Sequence, residues 1–188
     1  RLPGNHTCLC DTCGDVHYDT QGYAQLKEND TFRTKLIEII TQNPGLHFRE
    51  LQRRTGAAVG KLDYHLYQLE RKGEIYSMKD EHLVRYFSST ADTMLERRIA
   101  LHMRNQASKE ILIRAALDGK IEIQNPEARI IRMLDAMKDD NIISYELGAD
   151  MVRVTLNDKD TIIKFLKRYS TSFIDSIAYS IFKMLDEL

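Results

Sequence analysis

Asn43-Pro44-Gly45-Leu46-His47-Phe48-Arg49-Glu50-Leu51-Gln52-Arg53-Arg54-Thr55-Gly56 runs without a break into Ala57-Ala58-Val59-Gly60-Lys61-Leu62-Asp63-Tyr64-His65-Leu66-Tyr67-Gln68-Leu69-Glu70-Arg71-Lys72-Gly73. In the second half of this stretch Leu62, Leu66 and Leu69 stand at i, i+4 and i+7, one apolar stripe at the helical period. Gly73 follows a last turn holding Arg71 and Lys72, the composition of a helix C-terminus. In the first half, Phe48 and Leu51 predict a shorter helix that buries them and turns Arg49, Arg53 and Arg54 outward. Gly56 is expected to make the turn between the two, where a positive φ is needed and a side chain would crowd. Upstream, Phe32, Leu36, Ile39 and Ile40 predict a first helix that stops at Asn43-Pro44-Gly45. Downstream, Ile75 to Met78 and His82 to Phe87 read as a hairpin with Lys79-Asp80-Glu81 at its tip.

Helix, tight turn, helix and hairpin in this order resembles the winged helix-turn-helix regulators of archaea and bacteria. The closest pattern is the archaeal one, N-P-G-x-H-F-R-E-L-x-R-x-T-G followed by x-G-x-x-x-Y-H-L-x-x-L-E-x-x-G. The resemblance covers Thr31 to Ser88 and is most specific from Pro44 to Gly73. It implies that the second helix enters the major groove of double-stranded DNA. On that match Lys61, Tyr64, His65 and Gln68 occupy positions that face base edges. Arg49, Arg53, Arg54 and Arg71 take the place of phosphate contacts, and Arg85 that of a wing contact. His65 also flanks the leucine stripe, so packing stands beside base reading as its role. Three features depart from the pattern. Ala57-Ala58 replaces the usual Ser or Thr cap, a hydroxyl worth about 1 kcal/mol. Asp63 puts a negative charge beside the groove face, and the wing tip is acidic.

The charge distribution agrees with a local anion-binding surface. Net charge over the 188 residues is −1. Residues 1–31 hold 2 Lys/Arg against 5 Asp/Glu, residues 32–88 hold 10 against 7, and residues 89–188 hold 15 against 16. The one positive block is the one with the helix-turn-helix pattern. A local excess attracts phosphates while the whole chain stays near neutral, which predicts modest, salt-sensitive binding. A hydrophobic share of 43% with 29% charged residues fits a globular chain. No apolar run approaches 18 residues and no signal-peptide pattern is present, so a cytoplasmic protein is expected. The chain begins on Arg1 rather than Met, and upstream residues are expected.

Beyond Ser88 the pattern changes. Leu95, Ile99 and Met103 predict a helix from Asp92 to Arg104, and a second is expected over 108–118 with Ser108 as its cap. Asn125-Pro126 reads as a cap followed by proline at the first helical position, opening a helix with Ile130, Leu134 and Met137 inward. Ile142 to Leu147 and Met151 to Leu156 flank Gly148-Ala149-Asp150 as a second hairpin. Two helices, a capped third and a hairpin resemble tandem winged-helix proteins, the second unit being degenerate. The tail is read as two helices. One, from Asp158 to Tyr169, carries Ile162, Phe165, Leu166 and Tyr169. The other, from Thr171 to Glu187, carries Ile174, Ile177, Ile181, Met184 and Leu188 at 3-4 spacing. That seam is the expected homodimer contact.

The three cysteines lie together in His6-Thr7-Cys8-Leu9-Cys10-Asp11-Thr12-Cys13-Gly14-Asp15-Val16-His17. Cys8, Cys10 and Cys13 with His17, or with His6, would complete a tetrahedral zinc site. The same C-x-C-x-x-C string resembles the metalloid motif of arsenic- and cadmium-responsive winged-helix repressors, where it lies on or beside the DNA-binding helices rather than before them. A zinc site, a thiol or metalloid sensor, and a tail without metal all stand open.

The expected fold is mainly α with small β-hairpins (α+β), two winged helix-turn-helix units in tandem plus C-terminal helices. Its segments are a Cys-rich 1–30, a DNA-binding domain over 31–90, a second winged-helix-like domain over 91–157 and the tail over 158–188. No phosphate-cradling glycine loop, Gly-x-Ser-x-Gly elbow or His-Glu-x-x-His occurs, so no enzyme is expected. The expected function is a sequence-specific transcription regulator, with metal or redox response as an open extension. The alternative is a tandem winged-helix adaptor of the transcription or chromosome machinery that binds protein rather than an operator.

Overall fold

The computed structural model describes residues 8–9, 16–17, 20–80, 82–90 and 92–173, with side-chain surroundings from Asn29 onward. The expected seam from Ile174 to Leu188 and two of the cysteines, Cys10 and Cys13, lie outside the described residues. The chain divides into two compact units, residues 1–36 and 37–188.

In the first unit, β1 (Cys8–Leu9) pairs antiparallel with β2 (Val16–His17), setting Cys8 opposite His17 and Leu9 opposite Val16. α1 (Thr20–Gln42) then begins well before the first apolar residue of the expected stripe. No Gly or Pro falls between Tyr23 and Gln42, so nothing in the sequence stops the helix from extending backward.

The second unit starts within α1, whose end is fixed where the sequence fixes it. The amide and side-chain Nδ2 of Asn43 both donate to the Ile39 carbonyl, at 3.0 and 3.1 Å, and Pro44 cannot continue the helix. β3 (Leu46–His47), α2 (Phe48–Thr55), α3 (Val59–Arg71), β4 (Ile75–Asp80) and β5 (Leu83–Ser88) follow. The strands form a sheet in the order β3-β5-β4. The leucine stripe of α3 is fully inward: Leu62, Leu66 and Leu69 are at most 2% exposed, alongside Ile40, Leu46, Leu51 and Ile75. Burying each such side chain contributes about 1.5–3 kcal/mol.

Next come α4 (Met94–Met103), α5 (Gln106–Asp118), β6 (Lys120–Gln124), α6 (Ala128–Asp139), β7 (Ile143–Leu147), β8 (Met151–Leu156), α7 (Lys159–Arg168) and α8 (Ser170–Phe173). The second sheet has the order β6-β8-β7, the same arrangement of first, last and middle strand as the first sheet. Between its first two strands stands α6 alone, where the first half has both α2 and α3. The architecture is α+β, as the sequence indicates, with small antiparallel sheets set among helices.

Three local expectations are corrected. The cap of α5 is Asn105, whose side chain accepts from the Ala107 and Ser108 amides at 3.0 and 3.3 Å, while Ser108 is itself buried inside the helix. Asn125-Pro126 does not open α6. Asn125 takes a φ of +45° in a turn bonded to the Asp150 carbonyl, and the helix begins two residues after the proline. The strand β6 has no counterpart in the expected order. It is held by full pairing with β8, including Glu122 opposite Arg153 with a 2.9 Å ion pair.

One core cluster packs Ile99, Leu112, Ala115, Leu134, Met137, Ile143, Val154, Phe165 and Leu166 of the second half together with Phe87 of β5. His102, without a partner nearby in sequence, finds one in space: its Nε2 lies 2.8 Å from Asp140 Oδ2, and Arg98 pairs with the other oxygen at 3.0 Å. This ties α4 to the end of α6.

Candidate nucleic-acid interface

The angle between α2 and α3 is set by a short turn held by local hydrogen bonds. Gly56 caps α2 at φ +66°, donating its N–H to the Gln52 carbonyl at 2.9 Å. Thr55 Oγ1 donates to the Leu51 carbonyl at 2.8 Å and accepts from the Ala57 amide at 3.3 Å. Gln52 Nε2 reaches the Ala57 carbonyl at 3.5 Å. A Cβ at Gly56 would meet nothing within 4 Å, so the expected crowding is absent and the backbone angle alone calls for glycine. α3 then starts on Ala58, extended at φ −62°, ψ 147°, with no side-chain cap.

With the leucines inward, α3 presents Val59, Gly60, Asp63, Tyr64, Tyr67 and Arg71 to solvent, with Lys61 and Gln68 half-buried at the edges. These positions recur at helical spacing along about 18 Å of axis, and a B-DNA major groove is about 12 Å wide. Tyr64 and Tyr67 are 59% and 56% exposed, large apolar rings held in water. The Arg71 guanidinium lies over the Tyr67 ring, 5.7 Å from its centroid. Beside them α2 exposes Arg49, Arg53 and Arg54, and among the described residues none of the three forms an ion pair.

Two of the expected contacts are elsewhere. His65 is 5% exposed, within the same inward stripe as Leu62 and Leu69, and its ring meets the edge of Tyr64 at 5.3 Å. It packs within the stripe rather than facing solvent. Arg85 is 9% exposed and points into the protein, donating Nε to Asp80 Oδ2 at 2.6 Å and Nη1 to the Gly45 carbonyl at 3.0 Å. It braces the wing from behind and neutralises one of the acids near its tip. The exposed wing side chains are instead Tyr76, Lys79, His82, Leu83 and Val84. Strand alternation carries this signal, since Arg85 shares a face with the buried Phe87 and its neighbours Val84 and Tyr86 do not.

The groove side of the wing is not uniformly positive. The hydroxyl of Tyr86 has its pKa raised above 10, first by burial and then by Glu70 and Asp63 of α3. Attraction for a polyanion therefore rests on the α2 arginines, Lys61, Arg71 and Lys72, with Lys79 on the wing.

Residues 30–100 match a family model described as an N-terminal HTH domain. No curated protein matches the chain. The matched stretch takes in both helices, the wing and most of α4, and it makes this part of the chain a helix-turn-helix of the kind DNA-binding regulators carry. Among the described residues no group of three or more His, Cys, Asp or Glu converges to hold a metal ion, and no helix is long and apolar enough to cross a membrane.

Proposed function

We propose that the protein is a sequence-specific, DNA-binding transcription regulator of archaeal type, cytoplasmic and without catalytic activity. One observation carries the reading: an exposed face of Arg49, Arg53, Arg54, Tyr64, Tyr67 and Arg71, edged by Lys61 and Gln68, on the two helices of the domain that matches an HTH family. The arginines of α2 bind phosphates and fix the register. Tyr64 and Gln68 read base edges, the glutamine by hydrogen bonds and the ring against a thymine methyl.

The second half acts as a degenerate winged helix used for packing or pairing. The shared strand order supports this, and the single helix α6 in place of two argues against a second reading head. The protein works as a homodimer through its last helix, a proposal that light scattering of the full chain tests. Cys8, Cys10, Cys13 and His17 take up one zinc ion. The supporting features are the cysteine spacing and a strand register that sets Cys8 opposite His17. Zinc would supply a cross-link there and no reaction, and elemental analysis of protein purified without chelator tests it.

The decisive experiment selects duplexes from a random pool and measures their binding against salt. Wild type should prefer its selected duplex over a random one. Arg53→Ala with Arg54→Ala should weaken binding to both and reduce the slope of log K against log salt by about 2. Gln68→Ala should relax preference at one base pair by about 1–3 kcal/mol. No enrichment of any sequence, with affinity for random duplex unchanged in the double arginine variant, leaves the adaptor reading.

A further inference from the structure

The turn leading into α2 is held in a way that its own sequence does not require. Gly45, at φ +80°, donates its N–H to the Tyr86 carbonyl at 2.9 Å, which fixes it to the wing. Its carbonyl accepts from Arg85 at 3.0 Å. The preceding carbonyl, Pro44, accepts from a second arginine, Arg104, at 2.9 Å through Nη2 and 3.3 Å through Nε. Two successive carbonyls are thus each gripped by a guanidinium, one from the wing and one from the junction of α4 and α5. A Cβ on Gly45 would lie 3.5 Å from the Phe87 ring and 3.7 Å from Arg104 Nε, so the turn is closely filled as well.

Arg104 does not stop at the turn. The same Nη2 donates to Ser172 Oγ at 3.2 Å, and its guanidinium lies over the Phe173 ring, 4.4 Å from the centroid. Ser172 and Phe173 belong to α8, far along the chain and outside the matched HTH stretch. Burial lowers the pKa of Arg104 to about 10, with Glu50 opposing the fall and Arg85 and Arg54 adding to it, so it stays cationic at neutral pH; among the described residues no carboxylate lies within ion-pair distance of it. A half-buried cation held mainly by carbonyls is a poor source of stability compared with an apolar side chain of the same volume. What the guanidinium supplies that a methionine would not is a planar fork touching the turn, α8 and an aromatic face at once.

We infer that Arg104 is a positioning residue for DNA recognition: it links α8 to the Pro44-Gly45 turn and thereby sets the placement of α2, α3 and the wing. The inference rests on the proposed DNA-binding function and adds a direction to it. α8 bears on the reading head through this side chain, in addition to the core cluster that Phe173 and Phe87 share. Arg85 completes the link, passing from the Gly45 carbonyl to Asp80 near the wing tip.

The test uses the full chain. Arg104→Met keeps volume and removes the fork, Arg104→Lys keeps charge, and Phe173→Leu acts from the far end. Each is assayed for melting temperature, for binding to the selected and a random duplex, and for amide exchange over residues 44–56. Arg104→Met and Phe173→Leu should lower affinity for the selected duplex by about fivefold or more per folded molecule, a usual size for coupling. Random-duplex binding and its salt slope should stay unchanged, because Arg104 is held by carbonyls and an aromatic ring inside the protein, not by phosphate. Exchange over 44–56 should rise in both variants, and Arg104→Lys should restore part of the loss. Unchanged selectivity in folded Arg104→Met and Phe173→Leu overturns the inference. If wild type selects no duplex, the DNA reading fails by itself, and exchange over 44–56 still decides the link: no rise in Phe173→Leu sinks it.

Discussion

Asp92 is a buried carboxylate whose titration bears on stability at acid to neutral pH. It is 5% exposed, and Oδ1 accepts the Tyr169 hydroxyl at 2.5 Å while Oδ2 has no partner among the described residues. Burial raises its pKa above 3.8, with Glu96 adding to the rise and the Tyr169 hydrogen bond, Arg97 and Arg168 opposing it. The folded state therefore holds this proton more tightly than the unfolded chain does. The stabilisation is complete below pH 3.8 and is lost as pH rises through the folded value. Asparagine does not titrate. The melting temperature of wild type relative to Asp92→Asn should accordingly fall as pH rises from about 4 to about 7. A difference that is flat over that range means that Asp92 ionises in the fold as freely as in the unfolded chain. At this scale the sequence is legible where spacing decides. Leu62, Leu66 and Leu69 are buried as their period demands, and so are Ile162, Phe165, Leu166 and Tyr169. His65 stands at i+3 from Leu62 and i−4 from Leu69, inside the same stripe, and geometry outweighed its resemblance to a base-facing residue. The Gly45 partner of Arg85 and the partners of Arg104 and His102 come from turns or elements distant in sequence, and no local pattern names them.

Among the elements, α3 and α6 both begin without a side-chain cap, on Ala58 and Glu127. α4 has a full reciprocal cap, with Thr93 N–H donating to Glu96 at 2.7 Å and Glu96 N–H to Thr93 Oγ1 at 3.2 Å, and α7 has Asp158 accepting from Thr161 N–H at 2.9 Å. The helix that we propose enters the groove begins on Ala58, whose extended backbone is already that of a cap residue. Ala58→Ser should therefore stabilise the protein by about 1 kcal/mol without moving the backbone, read as a rise in thermal midpoint. No gain would show that the first turn of α3 is held by something other than its cap. Element order was mostly legible because helix and hairpin signals here are strong and local. The strand β6 was not. Lys120-Ile121-Glu122-Ile123-Gln124 alternates polar residues with isoleucine as a strand does, but the run is only five residues long, and its pairing with β8, some thirty residues on, fixes it as a strand. Asn125 misled for a related reason: a left-handed turn tied to Asp150 uses the same residue type as a helix cap.

For the molecule as a whole, what decides is where the core of the second half ends. Phe87 belongs to β5 of the winged helix, yet it is fully buried in the cluster formed by α4, α5, α6, α7 and the second sheet. The wing hairpin is therefore anchored at its base in the other half's core, and Arg104 reinforces the same junction through Pro44. Residues 37–188 are expected to unfold in one cooperative transition, with the helix-turn-helix unable to melt alone. Phe87→Ala removes a large buried side chain at a cost of about 3–5 kcal/mol. For a chain of this length that lowers the midpoint on the order of 10 °C. Because the lost contacts lie at the junction, calorimetry of the variant should show the single peak broaden or divide into two. A peak that moves down intact would mean that Arg104 and the neighbouring polar contacts couple the halves without the ring. Two separate peaks already present in the unmodified protein would mean that the shared cluster joins them in space but not in stability, and α8 could then influence the reading head only through Arg104.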